Sequence, residues 1–158
     1  MWQSCFYALV VLFGGAVTAL AVEFEGIVLA VPEGDTLEVL HNGTVLLIRL
    51  QDVDAPEIRQ PYGAQAQAFM AALALGKTAR VITADTPQPG ILQKAKIALS
   101  SGLNPSHELL KAGLGWWDRV GAPDDDSLWK LERDARIEHR GLWEDVDPIP
   151  PWEWRKGF

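Results

Sequence analysis

Cysteine is nearly missing from this chain: the only one is Cys5, and residues 22–158 contain none. No disulfide can therefore stabilise that part, so its fold must rest on an apolar core. Histidine is also scarce. His41, His107 and His139 stand at no spacing that suits a metal site. His41 belongs to a turn and His139 to the C-terminal end of a helix, where it complements the dipole. Positive charge is in deficit, with 14 Lys and Arg against 21 Asp and Glu for a formal net charge of -7. That balance disfavours a plain nucleic-acid-binding module, because phosphate attraction comes mainly from Lys and Arg. It is less damaging to an enzyme that recruits a divalent cation. There are no internal repeats and no interdomain linker, so one domain is expected.

Long apolar runs are absent except at the start. Phe6–Ala21 is an almost unbroken run of apolar and small residues ending Ala19-Leu20-Ala21, an A-x-A cleavage pattern. It falls short of the roughly 20 predominantly apolar residues that span a bilayer, and Met1–Phe6 has no Lys or Arg. The expectation is a signal peptide over residues 1–21 and a mature domain over 22–158, secreted or periplasmic, monomeric and without stable membrane association. An uncleaved N-terminal anchor is the alternative.

Asn42-Gly43, flanked by the β-rich runs Thr36–Leu40 and Thr44–Leu50, predicts a tight hairpin, since both turn residues accept positive φ. Glu23–Val31 reads as a strand broken by Pro32-Glu33-Gly34, Ala79–Ala84 as a strand, and Ile97–Leu99 as the end of another. Ala64–Leu75 reads as a helix with Ala68, Ala71, Ala72 and Leu75 at near-helical spacing and Gly76 as its stop. Asp85–Gln93 reads as an irregular loop. Asn104–Ala112 reads as a short helix ended by Gly113. Asp124-Asp125-Asp126-Ser127 supplies caps for a helix running to Arg140, with Leu128, Leu131 and Ala135 as its buried stripe. The tail, Pro148-Ile149-Pro150-Pro151-Trp152-Glu153-Trp154-Arg155, looks extended. Strands first and helices later give an α+β class.

Around the hairpin lie Glu33-Gly34-Asp35-Thr36 and Arg49-Leu50-Gln51-Asp52-Val53-Asp54-Ala55-Pro56-Glu57. Asp35 and Asp54 are hard oxygen donors of the kind Ca²⁺ takes, although each is equally able to cap a turn. Arg49 interrupts an apolar strand, where its planar fork suits a phosphate but where a solvent-facing charge is also ordinary. Glu57 is presented by a loop stiffened by Pro56. Trp116-Trp117 offers a stacking platform for bases or simply core packing.

This spacing resembles the staphylococcal-nuclease-like (thermonuclease) family, whose pattern runs roughly D-G-D-T, then R-L-x-x-[VI]-D-[TA]-P-E. The resemblance covers about Glu23 to Arg155 and includes Glu108–Leu114, Leu131–Arg136, Gly141-Leu142-Trp143 and the Pro-Trp-Glu-Trp-Arg tail, which are similar to exported bacterial members. It implies a five-stranded OB-fold β-barrel with about three helices, and hydrolysis of phosphodiester bonds in DNA or RNA. It also implies Ca²⁺ on Asp35, Asp54 and the Ala55 carbonyl, Arg49 on the phosphate, and Glu57 on the attacking water. Three positions depart from the pattern, one of them Gly121, which falls near a place where the family often offers an aromatic ring to a nucleotide base. Glu33 replaces the first acid of D-G-D-T. Counting back from Gly102 puts Gln93 where the family supplies a second arginine, and no Arg occurs between Arg80 and Arg119. Lys94 and Lys96 are the nearby substitutes for substrate binding, so weakened catalysis is expected. A catalytically impaired OB-type module that binds nucleic acid or nucleotide stays open beside this reading, as does a structural envelope protein.

Overall fold

The structure, a computed structural model, describes residues 21–157. The apolar segment read as a signal peptide lies outside the described residues, apart from Ala21.

Five strands close a barrel in the order β1-β2-β3-β6-β5, as the resemblance implied. β1 spans Val22–Glu33, β2 Thr36–His41, β3 Thr44–Leu50, β5 Thr78–Thr83 and β6 Leu92–Leu99. β3 and β6 run parallel, whereas the other neighbours are antiparallel. The long first strand makes closure possible. Its first half pairs with β5 (Val22↔Thr83 to Ile27↔Thr78), and its second half pairs with β2 (Ile27↔Leu40 to Glu33↔Thr36). Gly26 sits at the changeover, where a Cβ would lie only 2.5 Å from Val39 Cγ1. Pro32 and Glu33 do not end the strand as expected. They fall where the register shifts between Ala30 and Glu33, an irregular stretch in which proline's missing N–H breaks no regular ladder. The hairpin forms as its turn residues require, with Asn42 at φ 48° and Gly43 at φ 77°.

Alternation decides which side chains point inward. Leu37, Val39, Leu46, Ile48, Leu50, Val81, Ala95, Ile97 and Leu99 fill the barrel. Helices α1 (Gly63–Ala74) and α2 (Pro105–Ala112) add Ala66, Met70, Ala74, Leu109 and Leu110 to the same core. Burying each large aliphatic side chain is worth about 1.5–3 kcal/mol. The α1 stripe is not the expected one. Gly63, Ala66, Met70 and Ala74 are buried, while Ala68, Ala72 and Leu75 are exposed. In an alanine-rich helix several stripes look alike, and Met70 is the side chain that settles the rotation.

α3 (Asp126–Ile137) starts at Asp125, whose carboxylate accepts the N–H groups of Ser127 and Leu128. Leu128 and Ala135 are buried as expected, and so is Glu132, which pairs with Arg136 and Arg119. A single 3₁₀ turn, Gly141–Glu144, follows. The tail is not wholly extended: Pro151–Trp154 forms a helical turn, α4. Pro151 begins it, in the first-turn position where proline's missing N–H breaks no helix bond. No helix among the described residues is long and apolar enough to cross a membrane.

Candidate active site

The two short sequence stretches meet at one edge of the barrel. Asp35 sits in the tight β1–β2 turn and is almost fully buried. Its Oδ1 accepts the Thr36 hydroxyl at 2.8 Å, and its Oδ2 accepts the Ala55 N–H at 3.0 Å. Burial pushes its carboxyl above the usual aspartate range, and the charge of Asp54 adds to this. The Arg49 guanidinium and the bonds from Ala55 and Thr36 oppose it. Gly34 makes this turn possible by its lack of a side chain. A Cβ there would lie 2.7 Å from Ala66 Cβ and 3.0 Å from Ala55 Cβ. Helix α1 and the Asp54 loop therefore both close directly on the turn.

Arg49 lies on the outer barrel face, between Thr36 of β2 and Lys94 of β6 in the ladder. Its Nη2 donates to Glu33 Oε2 at 2.6 Å, its Nε donates to Thr36 Oγ1 at 3.1 Å, and Nε is 3.4 Å from Asp35 Oδ1. Glu33 is held above the usual glutamate range by burial first, then by the neighbouring Glu57 and Asp35, against the pull of Arg49.

After β3 the chain turns through Asp52 into β4 (Val53–Asp54), which pairs with β7 (Trp116–Trp117), Asp54 opposite Trp116. Asp52, buried, accepts the Ser106 hydroxyl at 2.6 Å and its backbone carbonyl accepts the Asp118 N–H. Its part is to pin this connection onto α2. The Glu57 loop is closed by Gln60. The Gln60 Oε1 accepts the Glu57 N–H at 3.1 Å, while its Nε2 donates to the Ile149 carbonyl at 2.5 Å.

Asp35, Arg49, Asp54, Ala55 and Glu57 are thus brought together, with Glu33 among them. Lys94 is beside Arg49 in the ladder but bonds Asp118 at 2.8 Å, and the exposed Lys96 lies further along β6, opposite Ile82. Gln93, which the sequence count puts at the second-arginine position, does not face Arg49. It opposes Ile48, on the inward-pointing register, and its Oε1 is buried without a hydrogen-bond partner. The β6 residues on Arg49's face are Leu92 and Lys94. Trp116 and Trp117 are both buried, which favours core packing over a stacking platform.

Arg155, part of the quoted tail but given no role by the sequence, also reaches the site. Its Nη2 donates to Asp54 Oδ2 at 2.7 Å, and its Nη1 donates to Glu57 Oε1 at 2.6 Å and Asp54 Oδ1 at 3.3 Å. These bonds, the Asp54 ones foremost, raise its already high pKa against the effect of burial. Nothing local in the sequence reveals a contact between residues 101 apart.

Four carboxylates (Glu33, Asp35, Asp54, Glu57) face two guanidiniums, which leaves a formal double negative charge if all are ionised. Among the described residues no three His, Cys, Asp or Glu side chains are grouped so as to hold a metal ion by themselves. The donor set is instead open and oxygen-only, and Asp54 and Glu57 already hold a cationic group. That chemistry fits a hard divalent ion that completes its shell with carbonyls and water.

An OB-type barrel carrying acids and an arginine at this edge defines a class of phosphate-handling domain, and sequence comparison narrows it. A profile of the family described as Staphylococcal nuclease homologue matches residues 47–145. A protein of Escherichia coli O157:H7 named as an uncharacterized endonuclease is 35% identical over 150 residues, 94% of this chain and 96% of the relative. The micrococcal nuclease of Shigella flexneri is 30% identical, covering 85% of this chain and 82% of that one. The staphylococcal-like nuclease CAN1 of Arabidopsis thaliana is 33% identical over 69% of this chain but only 33% of its own length. The chain belongs to the staphylococcal nuclease homologue family.

Proposed function

We propose that this protein is a nuclease that hydrolyses phosphodiester bonds of DNA or RNA, dependent on Ca²⁺. The observation that carries the reading is the convergence of Asp35, Asp54 and Glu57 with Arg49 at one barrel edge. The names of relatives aligned over most of their length support it.

Asp35, Asp54 and the Ala55 carbonyl would hold the cation. When bound, it polarises a phosphoryl oxygen and so favours attack at phosphorus. Arg49 binds the non-bridging oxygens and stabilises the charge that spreads over them. Glu57 orients the attacking water and accepts its proton. As the water oxygen bonds to phosphorus, the bond to the leaving sugar oxygen breaks, and that oxygen takes a proton from solvent. Glu33 and Thr36 keep the Arg49 fork aimed. Lys94 and Lys96 supply positive charge along β6 for the flanking strand, with Lys94 partly offset by Asp118.

Plasmid nicking by the purified chain in Ca²⁺, against the same reaction in chelator, tests this. Cleavage in Ca²⁺ and its loss in chelator and in Asp54→Asn is the expected result. No cleavage above buffer in any condition would leave a binding or structural protein. The apolar segment ending at Ala21 supports export to the periplasm or medium. N-terminal sequencing that starts at Val22 is expected, and recovery of the intact chain in membranes would contradict it.

A further inference from the structure

We propose that Arg155, brought by the C-terminal turn, is a second phosphate-binding arginine of this site, parked on Asp54 and Glu57 until the cation and substrate arrive. The inference rests on the nuclease reading and adds a catalytic residue to it.

Phosphoryl transfer develops charge on oxygens around phosphorus, and one guanidinium fixed to the barrel wall serves only part of it. Arg49 is that wall-fixed group, tied to Glu33, Thr36 and Asp35. The β5–β6 connection contributes no arginine, and the Arg49 face of β6 presents Leu92 and Lys94. Among the described residues, Arg49 and Arg155 are the two guanidiniums paired with the four carboxylates. They approach from different elements, one from the barrel and one from the tail.

The tail is docked. The Ile149 carbonyl accepts from Gln60, whose other end holds the Glu57 N–H. Pro151 is buried, and Trp152 meets Trp116 edge-on at 6.4 Å between ring centroids. Trp116 is itself the strand partner of Asp54. Arg155 is therefore held beside the two acids by the same small sheet that positions one of them. Its side chain is 41% exposed, so a substrate can reach it.

A guanidinium that bridges two carboxylates presents the same planar fork that a phosphate accepts. A cation on Asp54 would offset the attraction that holds Arg155 there, leaving the fork to exchange its carboxylate partner for a non-bridging phosphate oxygen. Glu57 is freed by the same exchange to receive the proton from water. Arg155 forms and breaks no covalent bond.

The test compares the full chain with Arg155→Gln, Arg155→Lys and, as control, Lys156→Gln, whose ammonium bonds Glu153. Calorimetric titration with Ca²⁺ should show tighter binding by Arg155→Gln, several-fold, because an internal competitor is gone. Single-strand DNA turnover at saturating Ca²⁺ should fall about 10²–10³-fold, the usual loss when one charge-stabilising donor is removed. Arg155→Lys should keep tryptophan emission, and hence tail docking, like wild type while turning over at an intermediate rate. Lys156→Gln should match wild type in both measurements. Tighter Ca²⁺ binding with turnover unchanged or faster would make Arg155 a competitor only and overturn the proposal. Unchanged Ca²⁺ affinity, or wild-type turnover in Arg155→Lys, would also overturn it. A wild type that does not cleave would remove the nuclease reading as well.

Discussion

Arg49 and Gln93 lie one ladder step apart on neighbouring strands, yet they face opposite ways. The sequence count made Gln93 the remnant of a phosphate-binding arginine, and a Gln93→Arg change then looks restorative. The register predicts otherwise. Gln93→Arg would push a guanidinium toward the barrel interior, where a buried unpaired charge is costly, whereas Leu92→Arg places the fork on Arg49's face. Steady-state turnover of single-stranded DNA should rise for Leu92→Arg, by about 10-fold or more given what one donor is worth. Gln93→Arg should show no gain and an earlier urea midpoint. A faster Gln93→Arg would mean that the side chain escapes to the outer face. The acids, by contrast, were legible one by one. Asp35, Asp54 and Glu57 sit in short motifs whose turns place them locally, so neighbouring residues carry most of the information. Arg155 was not, because its partners are reached only through the tertiary docking of the tail.

The hairpin, the short helix α2 and the α3 cap within Asp124–Ser127 were readable because a few adjacent residues dictate each. Asn42-Gly43 needs no partner to define its turn, and Asn104 Oδ1 accepts the N–H groups of Ser106 and His107 within its own segment. The rotation of α1 and the helical turn at Pro151 were not readable. Each depends on what lies opposite: the barrel core that receives Met70 and Ala66 for one, Trp116 and Gln60 for the other. The tight seat of α1 gives a direct prediction. Gly34→Ala adds a methyl where Ala66 and Ala55 leave no room, so the turn and the helix must separate. Urea denaturation should show a loss of about 1–3 kcal/mol, the usual cost of overpacking, together with weaker Ca²⁺ binding because Asp35 and Ala55 move with the turn. A wild-type midpoint for Gly34→Ala would mean that the helix is free to shift.

The whole chain carries a formal charge of -7, and its stability should respond to acid through particular ion pairs more than through net charge. Asp118 is one such group. Burial acts to raise its pKa, but the Lys94 ammonium and the N–H groups of Gly121 and Val120 outweigh it and hold the carboxyl below its usual range. A depressed folded value means that the unfolded chain binds the proton more readily. The stabilisation is therefore present above the ordinary aspartate value of about 3.9 and lost as pH falls through the folded value. The stability gap between wild type and Asp118→Asn, read from urea midpoints, should be widest near neutrality and close below about pH 4. A gap independent of pH would remove this ion pair from the acid response.

The same arithmetic of charge explains how an acidic protein handles a polyanion. Its barrel edge gathers four acids around two arginines, and on the proposed function a divalent ion would convert that edge from repelling a phosphate to receiving it. The initial rate of single-stranded DNA hydrolysis as a function of Ca²⁺ concentration, for wild type and Asp35→Asn, tests this most directly. A saturable rise from near zero is expected in wild type and a flat, near-zero line in Asp35→Asn, with both chains folded by circular dichroism. Hydrolysis by wild type that ignores Ca²⁺, or an Asp35→Asn curve that overlays it, would contradict the account.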